Sequence, residues 1–164
     1  MKRILLILCV SALGLSSISA QTDADKFTPI FLEFNHSLRI PNGLVQIQIY
    51  NRPNGVELRA YSQPLKDTQE WAHTRVQRTL SISKEVFQKW YQQAQTFNQI
   101  DLEQAMIMGK DGATCSIEFG GFGGTVTYKF WSPNYDTKPR GLTSFLSLFE
   151  EILTAAGFDP KEIL

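Results

Sequence analysis

Histidine and cysteine are nearly absent: the 164-residue chain has two of each. Metal ligation needs several imidazole or thiolate donors at fixed spacing. His36, His73, Cys9 and Cys115 offer no paired spacing and no His-x-x-x-His, so the residues point to no metal and no cofactor. Net charge is lacking as well, since 16 basic residues balance 16 acidic ones. That balance excludes the basic footprint of a nucleic-acid-binding domain. No Gly-x-Ser-x-Gly elbow marks a nucleophile. The glycine cluster Gly120, Gly121, Gly123 and Gly124 joins one strand-like run to another, with no Lys-Ser or Lys-Thr behind it. It reads as a flexible hairpin turn, because a phosphate cradle joins a strand to a helix N-terminus. The composition that remains, 43% hydrophobic and 20% charged, is that of an ordinary globular domain.

The first twenty residues predict a compartment. Met1-Lys2-Arg3 is positive, Ile4 to Leu15 is largely apolar, and Ser16-Ser17-Ile18-Ser19-Ala20 supplies a small-residue exit. That order is a secretory signal, and its apolar stretch is too short for a permanent anchor. Cleavage after Ala20 is expected, leaving residues 21–164 as one domain with an excess of two acidic residues once Lys2 and Arg3 are gone. Cys9 leaves with the leader, so Cys115 has no intramolecular partner. The expected location is periplasmic or extracellular, with no transmembrane anchor.

The mature chain alternates in period two before it repeats in period three to four. Ile30, Leu32 and Phe34 share one side of a strand whose start Pro29 would confine to a sheet edge. Val45, Ile47 and Ile49 alternate with Gln46 and Gln48, and Asn54-Gly55 turns the chain into Val56 to Tyr61. Leu44 to Tyr61 is therefore a hairpin. A fourth strand runs through Val76, Leu80 and Ile82. Ser83 then caps a helix with Glu85 in its first turn and Val86, Phe87, Trp90, Ala94 and Phe97 on one face. A second hairpin joins Thr114–Phe119 to Thr125–Trp131 through the glycine turn. A last helix carries Leu142, Phe145, Leu146, Phe149, Ile152, Leu153 and Ala156, with Gly157 just past its end. The expected fold class is α+β in the order β-β-β-β-α-β-β-α: an antiparallel sheet of two hairpins plus flanking strands, with two main helices on one face. Gln46, Gln48, Glu57 and Arg59 are expected on the other, wet face.

Two residue groups could carry chemistry. Cys115 shares strand parity with Ile117 and Phe119, which points it inward and away from the role of a nucleophile. Asp67, Glu70, Asp101 and Asp111 are dispersed, and nothing in their spacing sets a glycosidase pair. Asn35-His36-Ser37 matches a glycosylation sequon. The loop aromatics are more pointed. Trp131 ends its strand with parity opposite to Phe130, and Tyr135, Lys138 and Arg140 follow on a loop with two prolines. Trp71 lies in another polar excursion and Phe122 tops the glycine turn. Exposed Trp, Tyr and Arg on loops are the residue types of binding hot spots. Trp71, Phe122, Trp131, Tyr135, Lys138 and Arg140 are the candidate binding residues. The competing reading folds Trp131 and Trp71 back over a sheet edge.

From Ser83 onward the chain resembles a group of small, uncharacterised secreted bacterial proteins sharing a domain of unknown function. The resemblance rests on the Ser-capped helix, Asp111-Gly112 opening a strand, an aromatic strand ending in Trp131-Ser132-Pro133, and a terminal helix rich in Leu and Phe. It implies an α+β domain over residues 83–164 and transfers no activity.

With no catalytic signature, the favoured expectation is a non-catalytic binding protein of the cell envelope, of the inhibitor or immunity type, whose partner is another envelope protein. A small extracytoplasmic hydrolase using dispersed acids or Cys115 is the first alternative. A structural or assembly component pairing through the edge near Pro29 is the second.

Overall fold

A computed structural model describes residues 29–36, 42–63, 76–121 and 123–164. The fold is α+β: a six-stranded antiparallel sheet carrying helices. The strands are Pro29–Asn35 (β1), Leu44–Arg52 (β2), Gly55–Gln63 (β3), Val76–Ile82 (β4), Thr114–Gly121 (β5) and Gly124–Trp131 (β6). The helices are Lys84–Gln95 (α1), Leu102–Ala105 (α2), Thr143–Ala155 (α3) and Pro160–Ile163 (α4), with a 3₁₀ turn over Thr96–Gln99. α2 and α4 are one-turn helices started by the Asp101 and Asp159 side chains, which accept from backbone N–H groups two or three residues on; α4 lies where Asp159-Pro160-Lys161-Glu162 reads as a capped final turn, and α2 within Ile100 to Met108, which reads as a helical turn or an ordered loop.

The sheet order is β4-β3-β2-β1-β5-β6. β1 therefore lies in the interior, paired to β2 on one side and β5 on the other, and the expectation that Pro29 marks an edge is wrong. Proline is tolerated because it is the first residue of the strand. Pairing with β5 starts only at Ile30, opposite Phe119, so the missing N–H costs the ladder nothing there. Assembly through a β1 edge falls with that expectation.

Alternation decides the two faces. Ile30, Leu32 and Phe34, Val45, Ile47 and Ile49, Val56, Leu58 and Ala60, and Cys115, Ile117 and Phe119 are all buried on one side. The helices cover that side through aromatic contacts. Phe97 packs against Tyr128 at 5.5 Å and Phe145 at 5.4 Å, and Phe145 meets Phe130 edge-on at 4.9 Å. On α3, Leu148 is fully buried along with Leu153, while Leu146, expected in the stripe, is half-buried. The opposite face carries side-chain ties in place of helices. Gln46 donates to Glu33, Tyr50 to Gln48 and Arg59 to Glu57, and the Arg52 and Arg59 guanidiniums lie 5.2 and 5.6 Å from the Tyr50 ring centre.

Helix ends are closed by local chemistry. Ser83 accepts from the Val86 N–H, and the Glu85 carboxyl is held below its usual range by its own backbone N–H and by Ser83. Gly157, at φ 80°, lets Phe158 N–H donate to Leu153 and Gly157 N–H to Thr154, the paired bonds of a left-handed helix stop. Arg78 reaches from β4 to the Ala156 and Gly157 carbonyls and lies 5.2 Å from the Phe158 ring centre. That contact ties one sheet edge to the end of α3.

Candidate binding surface

The loop between β6 and α3 begins where Trp131 ends its strand. Ser132 adopts φ 36° and Asp136 φ 49°, conformations that non-glycine residues hold only when their surroundings fix them. The fixing bonds come from Ala113, just before β5, and from the loop itself. Ser132 N–H donates to the Ala113 carbonyl at 2.7 Å, and Ala113 N–H returns to Ser132 Oγ at 3.2 Å. Tyr135 N–H donates to Ser132, Arg140 N–H to Asp136, and the Thr137 hydroxyl to the Pro133 carbonyl.

Arg140 holds the rest. It was expected on the exposed binding surface, and the structure corrects this: the residue is 4% exposed. Its Nε donates to the Ala105 carbonyl at 3.0 Å. One terminal nitrogen donates to the Ser132 and Tyr135 carbonyls at 2.8 and 2.9 Å, and the other to the Trp131 carbonyl at 2.9 Å. The planar fork of the guanidinium suits this fan of acceptors. Burial pushes its pKa down, and the charge of Asp136 opposes that to a smaller extent. Arg140 is thus an internal brace that joins the loop to α2.

The same brace draws the 101–113 segment against the loop. Gln104 donates to the Pro139 carbonyl at 2.5 Å. The backbone at Gly109 lies flat on the Trp131 indole, so close that a Cβ there would sit 2.1 Å from the ring. Trp131 is half-buried beneath this turn and meets Tyr135 edge-on at 6.3 Å, which follows the reading in which it folds back. Tyr135 and Lys138 are exposed as expected. Trp71 and Phe122 lie outside the described residues, as does the 64–75 segment.

The sequence reading missed the apolar surface this packing creates. Leu102, Met106 and Met108 are exposed, Met108 to 95%, and Tyr135 to 58%. Among the described residues these make up four of the seven exposed large hydrophobic side chains, and all four sit on the two braced segments. The available signal was a stretch, Ile100 to Met108, whose apolar residues follow no helical period and are followed by Gly109. Exposed apolar side chains on segments joined in this way are the kind found at interaction surfaces, and methionine is over-used on them.

Among the described residues no group of three or more His, Cys, Asp or Glu gathers to hold a metal ion, and no helix is long and apolar enough to cross a membrane. Asp101 spends its carboxylate capping α2. Cys115 is fully buried and desolvation pushes its thiol far up from the ordinary value. Thiolate is the reactive form, so native protein at pH 8 is expected to resist a thiol reagent and to be labelled only on unfolding. Labelling of folded protein at the rate of a free thiol would return Cys115 to the list of candidate nucleophiles. No family model and no curated protein matches this chain.

Proposed function

We propose that this chain is a non-catalytic binding protein, exported by the leader at residues 1–20, that engages another protein of the cell envelope in the manner of an inhibitor or immunity protein. The observation that carries the proposal is the concentration of Leu102, Met106, Met108 and Tyr135 on segments held rigid by Arg140. Rigid loops lose little conformational entropy on binding, which makes such a corner an efficient contact surface. Lys138 lies exposed on the same loop and supplies a rim charge. The positive Met1-Lys2-Arg3, the apolar run to Leu15 and the small-residue exit at Ser16 to Ala20 support the compartment.

Affinity capture from envelope extract tests it, using wild type beside Met108→Asp and Tyr135→Ala. Both variants change exposed side chains whose backbone bonds remain. One protein retained by wild type is expected to bind each variant about thirtyfold more weakly, the equivalent of roughly 2 kcal/mol at a hot spot. Equal retention by all three would remove the corner as the site, and no specific capture by folded wild type would remove the function.

A further inference from the structure

We infer that β6 is a self-complementary edge through which two copies of this chain join their sheets, in antiparallel register centred on Thr127. β6 is the last strand of the sheet, and Gly124 to Thr127 and Lys129 are exposed. Its hydrogen-bonding phase follows from the hairpin. Gly121 pairs with Gly124 across a two-residue turn, so Gly124, Val126, Tyr128 and Phe130 direct their N–H and C=O groups to β5. Ser132 N–H donating to the Ala113 carbonyl continues the same phase. Thr125, Thr127 and Lys129 therefore direct theirs outward, where no further strand lies among the described residues.

Open edges are normally blunted by proline, by bulges or by several charges. β6 has no proline and one charged residue, Lys129, and its pairing with β5 runs residue for residue without a bulge. The opposite edge is different, because Arg78 of β4 is tied down on the end of α3.

Charge and length select the partner and the register. A two-fold antiparallel pairing is centred either on a residue whose backbone faces outward, at a hydrogen-bonded pair, or on one whose backbone faces β5, at a non-hydrogen-bonded pair. Centring on Val126 would leave Lys129 opposite the Gly121–Gly124 turn, and centring on Tyr128 would call on the Trp131 carbonyl, which already accepts from Arg140. Centring on Lys129 would set two lysines opposite each other, which is destabilising. Centring on Thr125 would run the strand into the Gly121–Gly124 turn after a few residues. Centring on Thr127 opposes Thr127 to its own copy, Thr125 to Lys129, and Val126 to Tyr128. Threonine pairs and aromatic–β-branched pairs are favourable across strands. Val126, 51% exposed on the helix-bearing side, gains cover from the Tyr128 ring of the second copy. Each outward N–H and C=O of the three residues then has a counterpart. The inference stands apart from the corner on the 131–141 loop, and such a dimer carries two of those corners.

Disulfide trapping and sedimentation test it. In this register two Thr127→Cys residues face each other at a hydrogen-bonded pair, about 5.5 Å between Cα atoms, within disulfide range. Two Val126→Cys residues are offset by two positions and lie about 8 Å apart, beyond that range. Buried Cys115 does not compete. Wild type is expected to show concentration-dependent dimerisation, and Thr127→Cys to form a disulfide dimer under mild oxidant at least tenfold faster than Val126→Cys. Thr127→Pro, which removes an outward N–H and spares the β5 ladder, is expected to be monomeric with an unchanged circular dichroism spectrum. Three results would each overturn the inference: wild type monomeric at every concentration reached, equal trapping of the two cysteine variants, or a dimer that survives Thr127→Pro.

Discussion

Arg140→Ala is expected to lower the stability of the domain by about 3 kcal/mol, a drop of about 10 °C in Tm for a chain of this size. The side chain satisfies four carbonyls, those of Ala105, Trp131, Ser132 and Tyr135, and is almost wholly buried. Alanine leaves those acceptors without their donor and opens a space that water enters only in part. Because three of the four belong to residues within or next to the strained Ser132–Asp136 turn, the loss is expected to be local as well as global. Amide exchange over 131–141 should accelerate more than exchange over β2. Arg140→Lys keeps the charge but has a compact head in place of a fork, so it is expected to recover less than half of the loss. Urea unfolding of the three proteins decides the matter. A loss below about 1 kcal/mol for alanine would show that water replaces the brace at little cost.

The contrast between Arg140 and the β2–β3 hairpin shows what a sequence makes legible. Val45, Ile47 and Ile49 alternate with glutamines, and Asn54-Gly55 specifies the turn. Both signals are local, and the register Leu44↔Gln63 to Arg52↔Gly55 follows from them. Arg140 is buried by partners with no sequence signature: backbone carbonyls belong to every residue, and one of these lies 35 positions away at Ala105. A charged residue beside Pro139 reads as surface, since arginine is rarely buried without a partner. Pro29 misled for a related reason. The edge rule is local, whereas the seating of β1 between β2 and β5 depends on where a strand 80 residues later pairs. The methionine corner was illegible because exposure of Met106 and Met108 depends on α2 being pulled onto the loop, a consequence of the same buried brace.

Phe145→Ala is expected to cost more still, about 4 kcal/mol, the range for emptying a buried aromatic site. Phe145 is fully buried and its ring joins three elements: Phe130 of β6 at 4.9 Å, Phe97 of the 3₁₀ turn at 5.4 Å, and Phe149 one turn along α3 at 6.0 Å. Backbone geometry around it is fixed by the sheet below and the helix above, so the site has little freedom to collapse. Phe145→Leu, which fills most of the volume, should lose about 1.5 kcal/mol. Val86→Ala, at a surface-facing position of α1, should lose no more than about 0.5 kcal/mol. The Phe130–Phe145 contact has a second consequence, because these two residues bracket the 131–141 loop. Their rings hold its two ends together while Arg140 holds its middle. A double-mutant cycle between Phe145→Ala and Arg140→Ala is therefore expected to give a coupling of about 1 kcal/mol, although the two side chains have different partners. Additive losses would mean that the loop ends stay in place without the ring contact, and that the brace alone shapes the proposed binding corner.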